Sequence, residues 1–181
     1  MKNVLYLLVL ISGLSFSQQK YLTRTGNINF EASVPSFEEV AASHEAVTAI
    51  LNSENGEFAA LALVKGFRFK NALMEEHFNE NYAESETYPK ATFSGKIISY
   101  DKAFLDGDEH AIKIKGILEF HGVKKEVEVT DGTILSNKEG LRINGEFMVL
   151  ASDFGIDIPK IVAAKLRDDV GVSFVFTLNE Q

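Results

Sequence analysis

The sequence predicts one all-β domain, in which antiparallel strands either close into a barrel or pack as two sheets. Most of the chain after residue 20 alternates apolar and polar residues, the pattern of strands with one dry face. Turn-forming residues separate these alternating runs at short intervals. Helical patterns are few, so the sheet has to bury its dry face against itself.

Eight runs carry the strand pattern. In the clearest of them, Ile112, Ile114 and Leu118 share one face, while Lys113 and Lys115 lie on the other. Short polar or glycine-containing turns connect the runs, which favours antiparallel hairpins. The strand candidates cover residues 28–33, 44–52, 57–69, 91–100, 112–120, 125–130, 141–149 and 172–178. The predicted hairpin turns lie at residues 52–56, 121–122 and 136–140.

Two short segments have helical patterns. Residues 72–79 place their apolar side chains at spacings of one, three and four, which predicts a short amphipathic helix. Its stripe consists of Leu73, Met74, His77 and Phe78. A weaker candidate covers residues 160–166, because Pro159 suits the start of a helix. We therefore expect one or two short helices beside the strands.

Residues 1–17 have the pattern of a cleaved signal peptide. Lys2 supplies the positive charge, residues 4–14 supply an apolar run, and small residues stand at its end. The run is shorter than the roughly 20 residues that span a bilayer, and polar residues follow at once. We therefore expect an exported protein, periplasmic or secreted, with its domain at residues 20–181 and no transmembrane span in the mature chain.

The composition and motifs disfavour several functions. A net charge of -8 repels phosphate backbones, so nucleic acid is not an expected partner. The chain has no cysteine, which excludes disulfides and thiolate sites. The histidines show no metal-binding spacing, and the acidic loop at residues 106–109 lacks the ligand ladder of a calcium site. No nucleotide-binding or hydrolase motif is present, so we expect no catalytic residue, metal site or cofactor.

Phenylalanine is abundant, which bears on the interior of the domain. The sequence has 14 Phe and no Trp, so most of its large aromatic side chains carry no polar group. An eight-stranded barrel either fills itself with side chains or encloses one small ligand. The periodicity therefore leaves a solid core and an oily cavity equally open.

Five segments resemble the YceI-like family: residues 67–78 (FRFKNALMEEHF), 88–95 (YPKATFSG), 116–125 (GILEFHGVKK), 152–156 (SDFGI) and 168–175. The resemblance covers nearly the whole mature chain. It implies a lipocalin-like, extended antiparallel β-barrel of about eight strands with one or two short helices. It also implies that an exported protein binds a long isoprenoid lipid, either a polyisoprenoid or an isoprenoid quinone, in the barrel lumen without catalysis.

This implied function selects candidate ligand-binding residues. A prenyl tail offers only apolar surface, so its site has to be long and dry, with polar residues for the head group at the mouth. The lumen candidates are Phe67, Phe69, Leu73, Met74, Phe78, Phe93, Ile112, Ile114, Leu118, Phe120, Phe147, Val149, Phe174 and Phe176. The mouth candidates are Arg68, Lys70, Asn71 and His77.

The sequence leaves several competing interpretations open. Arg68 and Lys70 fit a solvated outer strand face, and His77 fits a ring that packs over the barrel end. A solid-cored barrel would act as an interaction or stress-response protein. An enzyme acting on a small hydrophobic substrate would need a perturbed carboxylate or histidine in the lumen. An exposed edge strand would allow a homodimer.

Overall fold

The chain folds into a closed antiparallel β-barrel of eight long strands and one short strand. The computed structural model describes residues 19–33, 39–160 and 166–181. The strands are β1 (Lys20–Ser33), β2 (Ala41–Asn52), β3 (Glu57–Leu63), β4 (Arg68–Phe69), β5 (Lys90–Ile97), β6 (Glu109–Phe120), β7 (Val123–Asn137), β8 (Gly140–Leu150) and β9 (Leu166–Glu180). Their order is β1-β9-β8-β7-β6-β5-β3-β2, and β1 pairs with β2 to close the ring. The predicted fold class is confirmed.

The run predicted as one strand over residues 57–69 is interrupted in the structure. β3 ends at Leu63, a 3₁₀ turn covers Val64–Gly66, and β4 then pairs with the beginning of β2. Val64 is fully buried, and Gly66 lies so close to the His44 imidazole that a Cβ there would collide with the ring. The turn thus fits the chain around His44, a constraint that strand periodicity does not reveal.

The predicted helix is shorter than its pattern. Helix α1 covers Ala72–His77, and a π-helical turn, Phe78–Tyr82, continues it. The hairpin turn between β6 and β7 lies at the predicted place, with φ of +49° at His121 and +73° at Gly122. Two successive left-handed residues match the right-handed twist of the flanking strands, which accounts for the tight connection.

The barrel interior has a closed half and an open half. Along β8, Leu141 and Ile143 are completely buried, whereas Phe147 and Val149 on the same face are only half-buried. The closed half is filled by Val47, Leu51, Ile97, Ile112, Ile134, Leu141, Ile143 and Leu178. The same inward face therefore supplies solid core at one end of the barrel and cavity wall at the other.

Two predictions concern residues outside the described ranges. The signal peptide at residues 1–17 lies there entirely, and the helix candidate at residues 160–166 lies there for residues 161–165. Within the described ranges, no helix has the length and hydrophobicity needed to cross a membrane.

His44 is a buried histidine with one defined tautomer. Its Nε2 donates to the Leu63 carbonyl at 3.1 Å, and its Nδ1 accepts a hydrogen bond from the Ala46 amide at 3.1 Å. Its side chain lies on β2 against the Phe67 ring, with ring centroids 5.2 Å apart. Burial, reinforced by the charge of Arg68, lowers the pKa of His44 below its ordinary value, against an opposing contribution from the Leu63 hydrogen bond.

We expect His44 to make the fold less stable in mild acid. The lowered pKa means that the unfolded chain binds the proton more readily, so stability is complete above about pH 6.5 and falls as the pH drops toward the folded-state pKa. Urea unfolding at about pH 7.5 and about pH 5.5 measures the loss. His44→Gln should remove this part of the pH dependence, and an unchanged dependence in the variant would contradict the assignment.

Candidate functional site

The open half of the barrel encloses a cavity of about 440 Å³. Strands around the barrel and the helical segment line it with apolar side chains. Among the described lining residues, polar side chains come only from His77, Tyr82, Thr92 and Arg167. The volume falls within the roughly 300–1,000 Å³ typical of small-molecule pockets. The interior is therefore hollow at this end, which disagrees with the solid-cored alternative.

Four phenylalanines form one wall of the cavity. The Phe30 ring centroid lies 5.2 Å from that of Phe67, 5.7 Å from that of Phe69 and 5.4 Å from that of Phe78. Phe78 also packs on Phe69, with centroids 5.2 Å apart. Such aromatic pairs contribute about 0.5–1.5 kcal/mol each beyond burial. The wall thus joins β1 and β4 to the helical segment.

Residues 72–82, here called the helical cover, are held against β4 by hydrogen bonds. The Asn71 side chain caps α1 by accepting from the Leu73 amide at 2.9 Å. The Glu75 carboxylate accepts from Arg68 Nη1 at 2.9 Å and from the Phe69 amide at 3.2 Å. These contacts fix the orientation of the helical cover, which places Met74, His77, Phe78 and Tyr82 in the cavity wall.

A glycine pair makes room for one aromatic ring in the wall. Gly95 of β5 and Gly116 of β6 are direct partners in the sheet. A Cβ on either glycine would lie 2.6–2.7 Å from Cζ of Phe93. The tip of the Phe93 ring therefore lies over both glycines, where a larger residue would displace it.

Twelve of the fourteen predicted lumen residues line the cavity. Leu73 does not, because it is 56% exposed on the outer side of α1. Successive helical residues are about 100° apart, so the adjacent Met74 faces inward instead. Ile112 is buried in the closed half. The twelve are Phe67, Phe69, Met74, Phe78, Phe93, Ile114, Leu118, Phe120, Phe147, Val149, Phe174 and Phe176.

Of the predicted mouth residues, His77 lines the cavity and is also exposed, so it marks an opening. Arg68 forms its ion pair with Glu75, and Lys70 pairs with a glutamate before β2, both at an outer groove. Asn71 serves as the helix cap. The structure thus agrees with the interpretation of Arg68 and Lys70 as solvated outer residues.

Several cavity residues escaped the sequence analysis. Phe30 could have been found from the alternation of residues 28–33, since Ile28, Phe30 and Ala32 all face inward. Tyr82 stands four residues after Phe78, but it lies beyond the predicted end of the helix at residue 79. Seven others lie in the β8–β9 connection or at the start of β9, where no regular period marks them: Ala151, Phe154, Ile156, Ile158, Leu166, Arg167 and Val170.

His121 joins three segments beside the cavity. Its Nδ1 lies 3.0 Å from the Phe154 carbonyl and its Nε2 lies 2.7 Å from the Glu84 carboxylate. Tyr88 packs edge-on against the ring, with centroids 4.6 Å apart. Both ring nitrogens thus face hydrogen-bond acceptors, a backbone carbonyl and a carboxylate. The residue thus connects the β6–β7 turn to the β8–β9 connection and to the loop after the helical cover.

We expect His121→Ala to loosen these connections. Loss of two hydrogen bonds should raise amide hydrogen exchange in residues 78–88 and 152–156 by roughly tenfold. His110→Ala is the matched control, because His110, at the start of β6, binds Asp106 only four residues earlier in the chain. In the control, the hydrogen exchange of residues 78–88, measured by mass spectrometry, should equal that of the wild type. Equal protection in His121→Ala and the wild type would show that His121 does not hold the segments together.

The fold and its apolar cavity define a lipocalin-like β-barrel that encloses a ligand-sized cavity. The chain belongs to the YceI-like family, whose domain model matches residues 17–178. The predicted family is thereby confirmed. The comparison with curated protein sequences found no match.

Three solved structures share the fold. A polyisoprenoid-binding domain from Saccharophagus degradans, implicated in plant cell wall breakdown, is 15% identical with a TM-score of 0.74, covering 90% of this chain and 98% of that one. BcnA of Burkholderia cenocepacia is 16% identical with a TM-score of 0.64, covering 83% and 94%. The YceI protein of Campylobacter jejuni is 18% identical with a TM-score of 0.57, covering 80% and 85%. At these identities the likeness shows the fold.

Proposed function

We propose that the protein binds a long isoprenoid lipid, a polyisoprenoid or an isoprenoid quinone, in the barrel cavity for transport, storage or sequestration. The observation that carries this proposal is the dry, phenylalanine-walled cavity of about 440 Å³ inside a YceI-like barrel. The similar Saccharophagus degradans domain is described as polyisoprenoid binding, which supports the ligand class.

The energetics of burial favour a long tail over a short one. At about 0.8 kcal/mol for each buried carbon group, a five-carbon isoprene unit gains roughly 4 kcal/mol. Association costs about 4–15 kcal/mol in lost freedom, so several units have to be buried before binding becomes tight. An apolar wall gives this affinity without hydrogen bonds, while the polar residues near the opening remain for the head group.

The lining of the cavity supports binding without catalysis. No Asp or Glu occurs among the described residues that line it. General acid–base chemistry needs a positioned proton donor or acceptor, usually oriented by a second polar group. His77 lines the cavity, and no hydrogen bond joins its side chain to a carboxylate within the described ranges. We therefore propose that the lipid leaves the cavity unchanged and that no cofactor other than this lipid is held.

We also propose that the protein is exported. The support is the charge and hydrophobicity pattern of residues 1–17. Amino-terminal sequencing of the protein from the periplasm or medium of its host should show a start at Gln18. Recovery of the uncut chain in the cytoplasm would contradict this proposal.

Native mass spectrometry of the protein from its own host tests the function directly. We expect an added mass in a stoichiometric amount, and solvent extraction should release an isoprenoid that accounts for it. The same spectra show whether the homodimer predicted from the sequence forms. Protein at its bare mass, with no extractable lipid and no uptake of added quinone or prenyl alcohol, would contradict the proposed function.

A further inference from the structure

Toward the closed half, the cavity ends at a layer of side chains, here called the floor. Each of them lines the cavity and also belongs to the packed core, so the layer separates the two halves of the barrel interior. None of them is more than 6% exposed. The floor consists of Phe58, Ile114, Val129, Phe174 and Phe176.

The position of the floor can be followed along two strands. On β9, Leu178 is completely buried and does not line the cavity, whereas Phe176, two residues earlier on the same face, lines it. On β6, Ile112 belongs to the closed half, whereas Ile114 lines the cavity. On both strands, packed core thus changes to cavity wall within one inward-facing position.

Three phenylalanine rings contact one another in the floor. Phe174 and Phe176 are stacked, with ring centroids 5.1 Å apart and an angle of 21° between their planes. The Phe58 ring centroid lies 5.9 Å from that of Phe176. Phe58 belongs to β3, which β2 and β1 separate from β9 in the ring of strands. The rings therefore meet across the barrel interior and block the way to the closed half.

Two glycines leave the space that the rings of the floor fill. A Cβ on Gly26 of β1 would lie 2.3 Å from Cδ1 of Phe176, so this ring occupies the place of a side chain. Gly145 of β8 is the direct partner of Phe174, and a Cβ there would lie 2.6 Å from Cγ1 of Val129. Because the neighbouring strands contribute only backbone at these points, the floor depends on the phenylalanines themselves.

A floor at a fixed depth limits how much of a prenyl tail the cavity can bury. Each buried carbon group adds to the affinity, whereas carbon groups that remain in water add nothing. Affinity should therefore rise with tail length and stop rising at the length that reaches the floor. A phenyl ring has six carbons and an isoprene unit has five, so loss of one ring leaves room for about one unit. An apolar space of this kind stays dry and accepts apolar molecules.

We infer that the phenylalanines of the floor set the length of tail that the protein holds, and that Phe176 is the side chain that limits it. This inference rests on the proposed function, because it assigns the tail length of the same lipid. It concerns the buried end of the tail and does not depend on the polar group at the other end.

Binding of prenyl alcohols that increase by one isoprene unit, from farnesol to solanesol, tests the inference. For the wild type, we expect the affinity to rise along the series and to stay constant beyond one length. In Phe176→Ala, this limiting length should increase by about one unit. The first alcohol beyond the wild-type limit should bind to the variant at least about tenfold more tightly than to the wild type. Shorter alcohols should bind to both proteins alike.

Leu178→Ala is the matched control. Leu178 is completely buried beyond the floor on the same face of β9, so its truncation should lower stability and leave the limiting length unchanged. Phe58→Leu is a second, milder floor variant, which keeps the test valid if Phe176→Ala does not fold. Its smaller side chain should improve binding of the first alcohol beyond the wild-type limit roughly threefold.

The outcomes separate this inference from the proposed function. An unchanged limiting length in the folded floor variants overturns the inference alone, and so does a wild-type affinity that rises up to the longest alcohol. An equal increase of the limiting length in Leu178→Ala also overturns it, because any loosening of the core would then lengthen the cavity. If no alcohol binds to the wild type, the lipid-binding function fails and the inference fails with it.

Discussion

Replacement of Ala60 by Trp is expected to weaken lipid uptake strongly while the barrel remains folded. Ala60 is half-buried on β3, lines the cavity and lies opposite Phe93 of β5. A tryptophan buries about 150–250 Å² and would occupy space that the tail needs. The open half has room for this side chain without crowding the closed half. Extracted lipid per protein and the affinity for an added prenyl alcohol should both fall at least about tenfold.

Ala59→Trp is the matched control for this experiment. Ala59 is the neighbour of Ala60 on β3, so its side chain points to the other face of the strand. The control should keep wild-type lipid binding, and circular dichroism should show both variants folded. Wild-type binding by a folded Ala60→Trp variant would show that the ligand is held somewhere other than this cavity.

The second large effect is expected from Gly116→Ala, which should destabilise the barrel. A Cβ on Gly116 would lie 2.5 Å from the Ser94 carbonyl oxygen and 2.6 Å from the Gly95 Cα, both backbone atoms of β5. Backbone cannot move aside as a flexible side chain can, so the β5–β6 pairing has to open. Overpacking of this kind costs about 1–3 kcal/mol or more. Urea unfolding measures the loss in free energy.

Gly171→Ala serves as the control for Gly116→Ala. Gly171 lies on β9, and a Cβ there would have its nearest contact at 3.4 Å, with the flexible Met148 sulfur. Alanine also restricts the unfolded chain, so this substitution should leave stability unchanged or raise it by up to about 1 kcal/mol. If both variants lose the same stability, the close approach of β5 and β6 is not the cause.

Local patterns predicted the strands because the alternation of apolar and polar residues can be read within one short run. The alternation of Ile112, Ile114 and Leu118 with lysines is visible within one run, and the structure has β6 there. The break between β3 and β4 was missed, since it depends on the distant His44 imidazole behind Gly66. Contacts between remote residues leave no period in the sequence.

The helical cover also shows which features a local pattern predicts and which depend on contacts with remote residues. Its pattern predicted a short helix from residue 72 onward, and α1 starts there. The pattern also grouped Leu73 with Met74, although only Met74 faces the cavity. The rotation of a short helix about its axis is decided by its anchors, here Glu75 bonded to Arg68 and Phe69. Those bonds join the helical cover to residues of β4, outside the helical pattern itself.

By itself, the sequence determined an all-β domain and many of the residues on its inward face, because alternation and turns are local properties, and its resemblance to the YceI-like family implied a barrel. Only the tertiary structure decided which inward residues form solid core and which line a cavity. Ile112 and Leu118 share one face of β6, yet Ile112 is buried in the closed half and Leu118 lines the cavity. The difference depends on whether side chains from other strands fill the space opposite each residue. Those strands face one another across the barrel only when the ring is closed.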